Sequence, residues 1–158
     1  MSVLKAREHL KKWGLDRNLV ETGTSTATVE LAAVTLGCIP ARIAKTLSFK
    51  IEERSLLIVT AGDAKVQNGK YKAEFGSKAK MLEFEEVEEK IGHAVGGVCP
   101  FGVKEDVEVY LDESLKRFKT VFPACGSECS MIELEIPQLE TCSCYLKWVD
   151  VCKGWNEE

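Results

Sequence analysis

Two short stretches carry groups that local structure alone does not require. In "IAKTLSFKI", Ile43 to Ile51, the odd positions read Ile43, Lys45, Leu47, Phe49, Ile51 and the even ones Ala44, Thr46, Ser48, Lys50. This is the alternation of a strand with one dry side, with a lysine in the row that should face the core. An inward ammonium is costly unless its charge is compensated. Either a buried carboxylate answers it, Asp63 or a glutamate on a neighbouring element, or the strand borders an open cleft. The second stretch, "GHAVGGVCPFG", puts four glycines and Pro100 into the eleven residues Gly92 to Gly102. It suits a loop whose backbone N–H groups approach a ligand closely, or a tight connection between strands.

Conventional catalytic sets are missing. His9 and His93 are the only histidines, so a Ser-His-Asp or Cys-His arrangement has few ways to form. His9 falls on an N-terminal helix and reads as a surface residue. His93 precedes the glycine loop and could exchange a proton there, or be an ordinary loop histidine. Cys99 lies inside the loop with no visible base or helix N-terminus to lower its pKa, so it reads as pocket lining. The loop matches neither the Walker phosphate loop nor the dinucleotide fingerprint.

Composition narrows the classes. The chain is 45% hydrophobic and 29% charged, within the range of one globular domain spanning 1–158. A net charge of −4 argues against coating long nucleic acid. The charge is uneven: Lys65 to Lys80 holds five lysines and one glutamate, and Glu83 to Lys90 holds five glutamates and one lysine. A local basic strip can still guide one polyanionic end into a pocket. No uncharged run reaches the roughly 18 residues of a membrane span, and the N-terminus reads as a charged amphipathic helix rather than a signal peptide, so a cytoplasmic protein is expected. The seven cysteines then read as free thiols. Cys125, Cys129, Cys142 and Cys144 lack the paired knuckles of a structural zinc site, and no metal is expected.

The elements that must position these groups alternate. A helix carries Val3, Ala6, Leu10 and Trp13, capped by Ser2 and stopped by Gly14; a second carries Val29, Ala32, Ala33 and Leu36 between Ser25 or Thr26 and Gly37. The Ile43 strand and "RSLLIVTAG" pair as a hairpin across "EER". A helix from Asn68 to Phe75, a brief strand "KMLEF", a helix "EEVEEKIG", and "VEVYLDESL" as strand into turn follow. "SMIELEI" reads as a strand, Pro137 opens a short helix, and "YLKWVDVCK" is the last strand. Irregular crossovers predict a mixed α+β sheet.

The series "ELAAVTLGCIPARIAKTLSFK", "LLIVTAGDAKVQNGKYKAEFG" and "IGHAVGGVCPFG" resembles, in order and spacing, the YbaK/EbsC family, also called the prolyl-tRNA synthetase-associated editing domain. The resemblance covers nearly the whole chain and extends to "TVFPACGS" and "SMIEL". It implies a compact α+β domain with a mixed, barrel-like sheet flanked by helices. It further implies a trans-editing deacylase that hydrolyses the ester of a mischarged tRNA, prolyl-tRNA carrying alanine, cysteine or another small residue. No cofactor or metal is implied. By position the family's lysine falls on Lys45, where it holds the terminal phosphate or the substrate. The glycine loop falls on Gly96 to Pro100, where the backbone binds the carbonyl while the substrate's 2′-hydroxyl assists a water. A polar residue that several members carry before "IEL" is replaced by Met131, with Ser127 and Ser130 nearby, which leaves the amino-acid specificity open.

An aminoacyl ester is already activated, so a positioned water and oxyanion donors suffice without a triad. The expected catalytic set is Lys45, Gly96, Gly97 and Val98. The expected substrate contacts are Cys99, Pro100, Phe101, His93, Asp63 and Ser127. Expected partners are the 3′ CCA end of aminoacyl-tRNA and possible association with an aminoacyl-tRNA synthetase, with no membrane. The alternative is a non-catalytic module of the same fold that binds a tRNA end or a nucleotide. Oligomeric state is not legible.

Overall fold

The computed structural model describes residues 2–22 and 28–155. Among these, α1 (Ser2–Lys11) and β1 (Leu19–Glu21) precede α2 (Val29–Leu36). A long hairpin of β2 (Ile43–Ile51) and β3 (Arg54–Ala61) leads to β4 (Lys65–Val66), α3 (Asn68–Phe75) and α4 (Phe84–Ile91). Then come β5 (Glu108–Asp112), β6 (Thr120–Pro123), β7 (Ser130–Ile132), β8 (Leu134–Glu135), α5 (Ile136–Cys142), β9 (Lys147–Val149) and β10 (Cys152–Lys153). The main sheet has the order β8-β6-β2-β3-β5-β9, with β1-β7 and β10-β4 as separate antiparallel pairs. Within it β2 runs antiparallel to β3 and parallel to β6, and β5 runs parallel to both β3 and β9. The result is a mixed α+β sheet curled into a half-barrel.

The helix ends follow local chemistry. Thr28 caps α2 by accepting from the Leu31 N–H, and Gly37 closes it in the left-handed conformation. The expected caps Ser25 and Thr26, and the side chain of Ser2, lie outside the described residues. Glu83 and Glu86 form a reciprocal capping box at the start of α4.

Three expected strands differ. "KMLEF" makes a single bridge, Phe49 to Met81, because Phe84 already opens α4. "SMIELEI" divides at Glu133, since β7 pairs with β1 and β8 with β6. "YLKWVDVCK" divides into β9 and β10 for the same reason, one pairing with β5 and the other with β4. The single dry side expected of β2 also differs: Ala44 and Ser48 are buried on the even row as Phe49 is on the odd. The even row is covered because Leu57, opposite Ser48, packs under Val87 and Ile91 of α4. On the odd row Phe49 meets Tyr71 of α3 at 5.2 Å, and Phe75 reaches Tyr110 at 5.0 Å.

Asp112 ties the end of β5 to its surroundings. Its fully buried carboxylate accepts from the Ser114 and Val151 N–H groups, both at 3.0 Å, and Ser114 Oγ accepts from the Ala61 N–H at 3.1 Å. Replacing Asp112 with alanine strands two buried donors, so Asp112→Ala is expected to cost about 3 kcal/mol in urea unfolding.

Candidate active site

β2 is paired unequally on its two edges. Toward β3 the ladder has eight residue pairs, Ala44 to Ile51. Toward β6 it has two, ending at Ala44 opposite Pro123, and pairing resumes only at Phe49 opposite Met81. Between these points Lys45, Thr46 and Leu47 have no strand partner on that edge among the described residues. Strand backbone groups alternate in direction. The Ser48 carbonyl accepts from Leu82 and the Lys50 N–H donates to Lys80 on this edge, so the N–H and C=O of Thr46 face the gap as well.

A cavity of about 480 Å³ fills the gap. Its floor is β2 from Ile43 to Ser48; its walls are Thr28 and Val29, Met81, Leu82, Phe84 and Val87, the glycine loop through Val95, Gly96 and Val98, and Ala124 with Met131. Lys45 is half-buried, and its Nζ donates to the Gly62 carbonyl at 3.4 Å. No carboxylate pairs with it among the described residues. Burial holds its pKa below the usual lysine value, with Cys152 and Asp63 pulling the other way. The reading of Asp63 as a substrate contact or lysine partner gives way to an ion pair with Arg117, whose Nη1 donates to Asp63 Oδ2 at 3.0 Å.

The glycine loop opens with a turn from Ala94 to Gly97. Gly96 has φ +95°, the left-handed third position that such a turn reserves for glycine. The Gly97 N–H donates to the Ala94 carbonyl at 3.0 Å, so that amide is spent inside the turn. The N–H groups of Gly96 and Val98 carry no hydrogen bond to a described residue, and both residues line the cavity. Gly97 serves packing: a Cβ there would stand 2.5 Å from the Gly126 carbonyl group and 2.6 Å from the Ser127 nitrogen.

Beyond Val98 the chain turns inward. Cys99, Pro100 and Phe101 are buried and do not line the cavity; Cys99 and Phe101 join the core with Ala6 and Leu10 of α1. Burial pushes the Cys99 thiol up to about 12, so it stays protonated. His93 is also fully buried and away from the cavity. Its Nε2–H donates to the Phe101 carbonyl at 2.6 Å across the loop, and its Nδ1 has no partner. Burial lowers its pKa and keeps it neutral. His9, expected at the surface, is half-buried, with Nε2 hydrogen-bonded to the Cys142 carbonyl at 2.5 Å. Ser127 Oγ accepts from the Cys129 N–H and pairs with Ser130 Oγ at 2.7 Å, holding the turn that Gly97 packs against.

Lys45, Gly96 and Val98 thus share one cavity; Gly97, His93 and Ser127 support it from behind; Cys99, Pro100, Phe101 and Asp63 do not reach it. Sequence reasoning missed the open backbone edge at Thr46. Its signal was Pro123, which has no N–H to extend the β6 ladder. Among the described residues no group of three or more His, Cys, Asp or Glu is placed to hold a metal ion.

A half-barrel α+β fold whose apolar cavity holds a lysine and, among the described residues, no histidine or cysteine in its wall is not arranged as a triad hydrolase. Residues 24–142 match the aminoacyl-tRNA editing domain, and the chain belongs to that family. It is 53% identical over 157 residues to the uncharacterized protein YwhH of Bacillus subtilis (strain 168), covering 99% of this chain and 100% of the relative. It is 32% identical over 100 residues to a proline–tRNA ligase of Bacillus cytotoxicus, a match covering 63% of this chain and 17% of the ligase. Among solved structures, a candidate trans-editing enzyme for prolyl tRNA synthetase is 28% identical with a TM-score of 0.87, covering 97% of this chain and 98% of the other.

Two outcomes test the support behind the cavity. Gly97→Ala forces the two loops apart and is expected to cost about 1–3 kcal/mol in thermal or urea unfolding. His93 has its folded-state pKa below the ordinary 6.5, so below that pH the unfolded chain takes up a proton that the folded chain refuses. Stability is therefore lost as pH falls through about 6.5. His9 is lowered by burial too and adds in the same direction. His93→Gln should flatten, without abolishing, the fall in unfolding midpoint between about pH 7.5 and about pH 5.5.

Proposed function

We propose that this chain, as one editing domain over residues 1–158, is a trans-editing aminoacyl-tRNA deacylase. It acts in the cytoplasm on prolyl-tRNA carrying a small wrong amino acid such as alanine or cysteine. The observation that carries this reading is that Lys45 lines one cavity of about 480 Å³ together with Gly96 and Val98, whose amides have no partner among the described residues. The aminoacyl group enters the cavity and its ester carbonyl oxygen turns toward the two N–H groups. A water oriented by the substrate's 2′-hydroxyl adds to the carbonyl carbon, and the developing oxyanion is held by the amides. The intermediate collapses by breaking the bond to the ribose 3′-oxygen, which takes up the proton. The products are the free amino acid and tRNA with its 3′-hydroxyl restored. Lys45 anchors the anionic side of the substrate, the terminal phosphate or the ester oxygens.

Neutral His93 and protonated Cys99 are buried behind the loop and take no part in proton transfer to substrate. The walls supplied by Val29, Val98, Ala124 and Met131 favour a small apolar side chain. One methylene changes binding in such a pocket by only about 1–3 kcal/mol, so discrimination between alanine and cysteine is modest. The kinship with part of the proline–tRNA ligases supports a prolyl-tRNA substrate and action alongside a synthetase.

The test is a panel of mischarged tRNAs followed for loss of the amino acid. Faster cleavage of alanyl- or cysteinyl-tRNA(Pro) than in buffer is expected; no cleavage of any member leaves only a binding module. Lys45→Met should slow cleavage roughly 10- to 100-fold, the worth of a charge-assisted contact. Because the folded state holds this ammonium against desolvation, the same change should leave the melting temperature equal or higher. A large fall in melting temperature would instead make Lys45 a structural residue.

A further inference from the structure

Three large apolar side chains stand in water at the mouth of the cavity. Phe84 is 73% exposed, Met81 51% and Val95 50%, and all three line its wall. The packing of α4 does not need Phe84, since Val87 and Ile91 make its contacts with the sheet. Its backbone is nevertheless fixed, at the first position of a helix closed by a capping box. Beside it the backbone of Met81 is held by its bridge to Phe49. An apolar cluster left in water on a fixed backbone marks a binding surface.

The charges around it are polarised. Lys78 and Lys80, just before Met81, are exposed and make no ion pair among the described residues; Lys80 borders a neighbouring depression that it shares with Lys50, Arg54 and Lys90 and with Glu52, Glu53 and Glu86. On the other flank α4 presents exposed Glu85, Glu88 and Glu89. A polyanion can therefore reach the mouth along the 78–80 segment and is turned away from α4. An ester whose acyl part fills the cavity leaves its ribose at the mouth, and the base on that ribose is the next group outward.

We infer that Phe84 and Met81 form the stacking platform for the terminal base of an RNA 3′ end, with Lys78 and Lys80 taking the phosphates that precede it. The inference rests on the deacylase reading but is tested apart from it. The probe is an uncharged, fluorescently labelled single-stranded RNA ending in CCA, followed by anisotropy at several salt concentrations. Phe84→Ala is expected to weaken binding roughly tenfold, and Phe84→Trp to restore it, as stacking on an aromatic face requires. Lys80→Ala should lower the slope of log affinity against log salt by about 0.7, while Phe84→Ala leaves the slope unchanged. Since Phe84 is exposed, circular dichroism and the melting temperature of Phe84→Ala should match the parent.

Equal affinity of parent and Phe84→Ala overturns the platform even if the parent deacylates tRNA. A Phe84-dependent affinity in a protein that cleaves no aminoacyl-tRNA upholds the platform and defeats the deacylase reading. If light scattering shows a dimer that Phe84→Ala converts to a monomer, the patch is an interface between two copies and the inference fails.

Discussion

The unequal pairing of β2 is the constraint on which the rest depends. A strand in the middle of a sheet normally satisfies both edges, and an open edge invites pairing with another chain. Here β2 is held along its length by β3, but β6 accompanies it only as far as Pro123. After Pro123 the chain bridges Ala124 to Met131 instead. On the far side the segment before α4 returns to β2 only at Phe49. The hole left between these partners is three residues long and roofed by elements from four parts of the chain. It is at once protected from edge-to-edge pairing and deep enough to receive a ligand.

What makes the hole useful is the rigidity of its glycine wall. That loop has few side chains of its own to hold it, so it is pinned from behind. Gly97 lies against the Gly126 backbone, the His93 ring spans the loop to the Phe101 carbonyl, and Phe101 is packed under α1. Each pin needs the residue that provides it: a side chain at 97 collides, and a charged imidazole at 93 would be buried without a counter-charge. Backbone donors held this way need no reorganisation when charge develops in front of them. A site can therefore act on an activated ester with no side-chain nucleophile.

Much of this was legible in the sequence, and the failures share one cause. Helix boundaries were readable because caps such as Gly37 and Gly92 act within a turn. The hairpin was readable because its strands are consecutive. Lys45 was readable because it breaks a period of two. What failed depended on partners distant in the chain. Nothing local tells that "SMIELEI" changes partner at Glu133, or that α4 covers the even row of β2. Nor could the loop's own spacing say that its face changes after Val98, sending Cys99 and Phe101 into a core built by α1. Nor does glycine spacing reveal that the amide of Gly97 is spent on the Ala94 carbonyl.

The pairing of Asp63 connects these levels. Asp63 follows Gly62, whose carbonyl receives the Lys45 ammonium, and it is the carboxylate that a half-buried lysine would be expected to attract. Arg117 holds it instead through two guanidinium nitrogens, a forked geometry that a lysine cannot match. The same guanidinium donates to the Trp155 carbonyl and lies over the rings of Phe118 and Trp155, so its position is fixed independently of Asp63. With the acid held by Arg117, Lys45 has a carbonyl as its hydrogen-bond partner among the described residues and a pKa depressed by burial. The desolvation cost carried by Lys45 in the free protein is thus one that an entering anion can relieve.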